Sequence, residues 1–363
     1  MHILVGMPEK GSQGGPAACE PPFITELQRL GHTVEEEVYA YAQTRSSSLR
    51  RISRVRKTAR RLRERLRSEK FDIVHINTSF DTRALLRDGV VVSCLPSPGP
   101  KIFLKFHGSD ARLLKTSNPL LRSLGRYLLS RVDGIGVLSS EERDNFLGAG
   151  VPENKVFVVK NVVQSAVQSH DSHFRNKLKL PGQAPLLLFI GRFIEAKGLM
   201  DVIRACKLLS DHNQDFMLLC VGDGPARASA QTEGNRLGIG SRVRFFGYVT
   251  EEQAAEFYAN STMLVFPTYH YEGFPMVIFN AAAAGLPIIT TRIRAAADYL
   301  AEPENCLWVE PGNPESLVKK IAALLETKTL GAEMGANNMK LVKRFSAGPV
   351  TEDYLAAYNE IRR

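Results

Sequence analysis

An acid in a tight turn just ahead of an apolar helix is the pattern in this chain with the most chemistry in it: Tyr269-His270-Tyr271-Glu272-Gly273-Phe274-Pro275-Met276-Val277-Ile278-Phe279-Asn280-Ala281. Residues 262–267, which precede it, are apolar almost throughout, as a parallel strand covered on both faces should be. Glu272 therefore falls at the carboxyl end of a strand, where open α/β sheets take ligands. Gly273 permits unusual backbone angles. Pro275 suits a first helical turn, whose free N–H groups and positive dipole end attract anionic oxygen. Such a turn can hold sugar hydroxyls on Glu272 and a phosphate on backbone amides. On its own, an acid here is as readily a helix cap, so its neighbours decide.

Two cations flank a second turn of the same kind. Leu187-Leu188-Phe189-Ile190-Gly191-Arg192 ends a strand in glycine and arginine, and Lys197-Gly198 opens the next helix. Arg192 can grip a diphosphate in bidentate fashion while Lys197 acts as a point charge. Val221-Gly222-Asp223-Gly224-Pro225 is a further glycine turn at a strand end, and 11–16 is another after the first strand. Neither has the Gly-x-Gly-x-x-Gly spacing, and no P-loop occurs, so a dinucleotide or P-loop protein is not expected. Phe106-His107-Gly108-Ser109-Asp110 places a histidine at a strand end, where it could contact a reacting sugar or its leaving phosphate. His170 and His173 have a metal-like spacing but lie in a polar stretch and read as solvated. Asp-x-Asp is absent, which removes the common carboxylate cradle for a divalent ion and leaves the expectation of no metal and no cofactor.

These turns need strands and helices to aim them. Strand-like runs at 2–6, 71–77, 101–107, 134–138 and 156–159 alternate with helical patterns, then a polar stretch at 164–173 breaks the rhythm. A second series follows at 186–190, 216–221, 243–246, 263–266 and 288–291. The expectation is an α/β protein of two Rossmann-like domains, 1–163 and 164–347, with a last helix over 348–363 returning to the first. With 363 residues and 44% apolar content, two buried cores are affordable. Five scattered cysteines without a Cys-x-x-Cys pair argue for a reducing compartment. The first residues lack the apolar core of a signal peptide, and no window approaches a membrane span, so a cytoplasmic protein is expected.

The formal charge of +9 is local. Residues 45–70 carry twelve Lys or Arg against Glu64 and Glu69, a net of +10, so the rest of the chain sums to −1. Leu49, Ile52, Val55, Ala59, Leu62 and Leu66 recur every three or four residues, one apolar stripe on a helix whose other faces are largely arginine, including Arg50, Arg51, Arg54, Arg60 and Arg61. With nothing else anionic nearby, this predicts docking on an anionic membrane surface. Nucleic acid is not the expected partner, because no aromatic residue is interleaved between Arg45 and Lys70 to stack bases.

Taken together, these residues resemble glycosyltransferase family 4, over most of the chain: Gly14 and Gly15 in the early loop, His107-Gly108, Val159-Lys160-Asn161-Val162, Gly191-Arg192 with Lys197-Gly198, Val221 to Pro225, Phe246-Gly247-Tyr248 and Glu272-Gly273-Phe274-Pro275. The resemblance implies the GT-B fold, two Rossmann-like domains with parallel sheets facing a central cleft. It also implies transfer of sugar, with retention, from a nucleotide diphosphate sugar, UDP-sugar favoured. In that reading Arg192 and Lys197 hold the diphosphate, Glu272 holds sugar hydroxyls, and the amides of Phe274, Pro275, Met276 and Val277 lie by sugar and phosphates, Pro275 having no N–H to give. His107 sits at the reacting carbon, Gly14, Gly15, Gly191, Gly222 and Gly273 line the donor, and Tyr248 borders the base. One departure stands out: where the family pattern has a second glutamate seven residues after the first, this chain has Asn280, an amide that can still bridge two ribose hydroxyls but without a charge. Residues 291–298 also lack the expected glycine pair. No carboxylate pair for double displacement is evident, so the departing phosphate itself is expected to help deprotonate the acceptor. The acceptor is expected to be lipid-linked or glycan, at the inner face of the cell membrane, recognised by loops such as 19–23 and 77–81. The rival expectations are an inactive glycosyltransferase-like scaffold, motivated by Asn280, and a GT-B epimerase or phosphorylase.

Overall fold

The computed structural model describes residues 1–9, 15–40, 48–164 and 171–363, so Gly14, Arg45, His170 and most of the polar stretch at 164–173 lie outside the described residues. The chain divides into two compact units. Unit 1 comprises Met1–Val162, Tyr271–Phe274 and Phe345–Arg363; unit 2 comprises Val163–His270 and Pro275–Arg344.

Unit 1 is built on strands β1 (His2–Pro8), β2 (Thr33–Ala40), β3 (Ile73–Phe80), β4 (Lys101–Ser109), β5 (Gly134–Val137) and β6 (Val156–Val158), all parallel, in the order β2-β1-β3-β4-β5-β6. Its helices are α1 (Gly15–Arg29), α2 (Ser48–Ser68), α3 (Thr82–Cys94), α4 (Pro119–Arg131) and α5 (Ser140–Gly148). In β3 and β4 alternate residues split the sheet into two faces of different chemistry. Val74, Ile76, Leu104 and Phe106 enter an apolar core with Leu62 and Leu66 of α2, Leu85 of α3 and Leu128 of α4. The opposite residues, His75, Asn77, Phe103, Lys105 and His107, mix aromatic and polar groups.

Residues 19–23 were expected to be an acceptor-binding loop. They lie instead inside α1, with both prolines in the helix and Cys19, Glu20 and Phe23 buried. Residues 77–80 likewise belong to β3, and only Asp81 leaves it, capping α3 through the amides of Arg83 and Ala84.

Unit 2 repeats the architecture with β7 (Leu186–Ile190), β8 (Met217–Val221), β9 (Val243–Gly247), β10 (Met263–Phe266), β11 (Ile288–Thr290) and β12 (Leu307–Trp308), parallel, in the order β12-β11-β10-β7-β8-β9. Its helices are α6 (Phe174–Lys177), α7 (Leu199–Asp211), α8 (Arg227–Arg236), α9 (Glu251–Asn260), α10 (Met276–Ala283), α11 (Arg294–Tyr299), α12 (Pro314–Glu326) and α13 (Lys328–Leu341). The strands β7, β8 and β10 are wholly buried, which is why they read as unbroken apolar runs rather than alternating ones. The last helix, α14 (Ala347–Arg362), groups with unit 1 and packs on α1. Tyr354 meets Phe23 at 4.6 Å between ring centroids, and Asp353 pairs with Lys160.

Candidate active site

In unit 2 the carboxyl ends of β7, β8 and β10 are laced together by main chain. Gly191 N–H donates to Val221 O at 2.9 Å, Phe193 N–H to Asp223 O at 2.8 Å and Tyr269 N–H to Ala196 O at 2.8 Å. Such close approach dictates glycine. Gly222 has φ +128°, and a Cβ there would stand 1.9 Å from the carbonyl oxygen of Gly191; on Gly198, φ +78°, it would stand 2.6 Å from that of Pro267. The glycine signature of these turns thus serves backbone-on-backbone packing, which in turn fixes Arg192 and Lys197. Arg192 is exposed, and its guanidinium has no hydrogen-bond or ion-pair partner among the described residues. Lys197 is buried, its ammonium 5.2 Å from the centroid of the Phe266 ring, where a cation is favoured by the ring face. A Cβ on Gly191 would lie 3.9 Å from Val277, so the Arg192 turn neighbours the first turn of α10.

Pro275 caps α10 rather than opening it: its φ is −71° and ψ 93°, and its carbonyl accepts from Ile278 at 3.0 Å. The amides of Met276 and Val277, as N1 and N2 of an α-helix, have no acceptor four residues back and are available to anionic oxygen. Asn280 lies on the same helix, half-buried. Tyr248, just beyond β9, is 59% exposed, which leaves its ring face available for stacking.

The Glu272 turn behaves differently from expectation. Tyr271–Phe274 groups with unit 1, not with the strand and helix that flank it in sequence. Gly273 does not have a positive φ; it is required for space, because a Cβ would meet Leu138 at 2.9 Å and Glu142 Oε2 at 2.7 Å. Phe274 packs edge-on against Phe345 at 5.3 Å. Glu142, a residue no motif pointed to, is buried and held by the Ser109 and Ser139 hydroxyls and by the Leu138 N–H at 3.1 Å. A Cβ on Gly108 would lie 3.9 Å from Tyr271 O, so the structure brings His107-Gly108 and the half-buried Glu272 turn side by side within unit 1. Gly15 opens α1, downstream of the loop.

His107 is nearly buried, and beneath it lies a charged network that sequence reasoning missed. Glu20 and Lys105, both buried, form an ion pair. His107 Nε2 is 2.8 Å from Asn77 Oδ1 and 3.8 Å from Glu20 Oε1, and His75 Nδ1 bonds the Tyr358 hydroxyl. Burial, reinforced by the Lys105 cation and opposed by Glu20, pushes His107 down to about 3, so it is neutral near pH 7. Burial would raise Glu20, but Lys105 overrides it and holds the carboxylate down at about 2. The only warning of this in the sequence is that a strand on the apolar sheet carries Lys105 and His107 two residues apart.

The candidate cluster of His2, Glu35 and Glu69 could reach one metal ion, but both of its acids are engaged by Arg65, Glu69 at 4.0 Å; the neighbouring Glu37 of β2 also pairs with Arg65, and with Arg61 at 2.7 Å. This corrects the premise that nothing anionic lies beside the basic helix. Something anionic does lie beside it, the edge strand β2, and Arg61, which also donates to Val38 O, is a structural residue rather than a free surface charge. Arg60 pairs with Glu64 one turn on, Arg54 is half-buried, and Arg50 and Arg51 are exposed. Ala59, Leu62 and Leu66 are buried as the stripe requires, while Ile52 is 51% exposed.

Comparison with known proteins agrees with this architecture. Residues 22–166 match the model of Glycosyltransferase Family 4, and residues 171–341 that of Glycosyl transferases group 1. An uncharacterized glycosyltransferase of Methanocaldococcus jannaschii is 29% identical over 46% of this chain and 44% of its own length. The lipopolysaccharide core biosynthesis glycosyltransferase LpsE of Rhizobium meliloti is 30% identical over 50% of this chain and 52% of its own. The matches thus span about half the length of these curated relatives. The fold is that of Anabaena HepE, solved in complex with UDP-glucose, at TM-score 0.77 and 18% identity over 98% of both chains. With two parallel six-stranded sheets the chain has the GT-B fold, in which residues 22–166 form a Glycosyltransferase Family 4 domain and residues 171–341 a Glycosyl transferases group 1 domain.

Proposed function

We propose that this protein transfers a hexose or related sugar, with retention, from a nucleotide diphosphate sugar to a lipid-linked or glycan acceptor in polysaccharide, lipopolysaccharide or glycolipid biosynthesis. The observation that carries the donor half is the exposed Arg192, whose guanidinium has no partner among the described residues, on a turn beside the open first-turn amides of α10, an arrangement suited to a diphosphate. Lys197 adds a second positive charge in a buried setting, where it acts with little screening. Departure of the diphosphate is then favoured without a metal, and the departing oxygen can take the proton of the acceptor hydroxyl on the same face. Glu272 and the neutral His107 take sugar hydroxyls, Asn280 the ribose and Tyr248 the base. UDP is the favoured nucleotide, a preference supported by the UDP-glucose complex of HepE.

The acceptor half rests on surface character. On α2, Arg51, Arg56, Lys57 and Arg63 are exposed, and α2 packs on α3, which packs on α4. Leu86 and Val90 of α3 are 53% and 45% exposed and Leu120 of α4 is 79% exposed. Cationic and apolar side chains on neighbouring helices suit the anionic, cytoplasmic leaflet of a membrane and hence a lipid-linked acceptor. No helix among the described residues is long and apolar enough to cross a membrane. The test is release of free nucleotide from a panel of UDP-, GDP- and ADP-sugars, in EDTA and with added magnesium, with and without lipid-linked acceptor. Turnover of one donor that persists in EDTA is the expected result. No release from any donor, or release only with metal, refutes the corresponding part.

A further inference from the structure

Strands β3 and β4 pair with Asn77 opposite Lys105, so His75, Asn77, Lys105 and His107 share one face of the sheet. The amide of Asn77 is oriented from below: its Nδ2 donates to Gly6 O at 3.3 Å, which turns Oδ1 to His107 Nε2 at 2.8 Å. Glu20 Oε1 stands 3.8 Å from the same nitrogen while it accepts from Lys105. Two oxygen acceptors therefore face Nε2, and a lone pair there would be repelled by both. Nδ1 has no hydrogen-bond partner among the described residues.

We propose that Asn77, backed by the buried Glu20–Lys105 pair, is a positioning residue that holds His107 as the neutral imidazole with its proton on Nε2, so that Nδ1 is presented to a ligand as a hydrogen-bond acceptor for a hydroxyl. That Nδ1 serves a sugar hydroxyl rests on the function proposed above; the proton's position does not. The ion pair makes the device possible. Glu20 alone would draw a second proton onto His107, and Lys105 alone would leave an uncompensated cation; together they leave an approximately neutral floor that still favours a donor at Nε2. The charged and titratable groups around His107 are Glu20 and Cys19 of α1, His75 of β3, Lys105 of β4 and Tyr354 of α14.

Long-range nitrogen–proton correlation spectra of the ligand-free, full-length protein with ¹⁵N-labelled histidine read the tautomer directly, with His107→Gln assigning the signal among the eight histidines. The expected spectrum at pH 7 has a protonated Nε2 and an unprotonated Nδ1. In Asn77→Leu the Nε2-protonated form is expected to lose its exclusivity. In the near-isosteric Asn77→Asp, the new carboxylate is expected to raise the pH at which both nitrogens become protonated by about one unit or more. A wild-type proton on Nδ1, an unchanged tautomer in a folded Asn77→Leu protein, or an unmoved midpoint in Asn77→Asp overturns the proposal. None of these readings needs a substrate, so a protein that passes them and turns over no sugar nucleotide refutes the proposed reaction and not the positioning.

Discussion

Lys105 and Glu20 are paired in the interior of unit 1, the ammonium on β4 and the carboxylate on α1, and neither side chain is more than 2% exposed. Removing one partner strands the other charge out of water. Lys105→Met or Glu20→Leu alone is expected to destabilise by about 3–5 kcal/mol, whereas the double substitution recovers most of the loss, because apolar replacements of a buried pair are close to neutral. Urea denaturation of the four proteins checks this. Losses that simply add in the double variant would mean that the two charges are not balancing one another.

Acid should loosen the same region. Burial holds His75 down at about 4, against the pull of Glu20 and with help from Lys105, and His107 down at about 3. An unfolded chain binds these protons from about 6.5. Unfolding therefore takes up protons below that value, and the stability contributed by neutral histidines is complete above about pH 6.5 and is lost as pH falls toward 4 and 3. The His75 share is on the order of 3 kcal/mol. Glu20, held at about 2, withdraws its contribution only below the ordinary carboxylate range. Stability measured from pH 7 to pH 4.5 should fall more steeply in the wild type than in His75→Phe; parallel curves would assign the acid sensitivity elsewhere.

Glu272→Ala and Arg192→Ala are each expected to lower kcat/KM by two to three orders of magnitude, roughly 3–4 kcal/mol of transition-state stabilisation. Arg192 is exposed and Glu272 half-buried, so thermal unfolding should barely move. Normal turnover in either variant removes that residue from the reaction.

Replacing Arg51, Arg56, Lys57 and Arg63 by glutamine is expected to abolish cosedimentation with anionic vesicles at low salt and to leave donor affinity unchanged. Each cation near an anionic leaflet contributes about 1 kcal/mol, so the loss should be graded with the number replaced. Arg61→Gln alone should instead cost stability, because Arg61 is tied to Glu37 and Val38. Equal sedimentation of wild type and the quadruple variant leaves the exposed arginines as a solvated face.

Period and composition alone determined the repeated strand-helix order, the buried strands β7, β8 and β10 and the glycine turns after them, because a strand covered on both faces must be apolar along its length and a turn packed backbone on backbone admits no Cβ. Two edge elements escaped. β2 carries Glu35, Glu36 and Glu37, acids that make sense only beside Arg61 and Arg65 of α2, and β12 is two residues long. Glu272, Arg192, Lys197 and His107 could be picked out as candidates because each falls at the carboxyl end of a strand or in the turn after it. What only the tertiary structure decided is which groups meet. Residues 19–23 were expected as a loop, yet they lie in α1, which sets Glu20 under Lys105. Gly273 reads as a backbone-angle residue, yet it makes room for Leu138 and Glu142. Asn77 carries no local signal at all, since its effect on His107 depends on the register of β3 against β4, and pairing register is a property of two strands that neither sequence segment contains by itself.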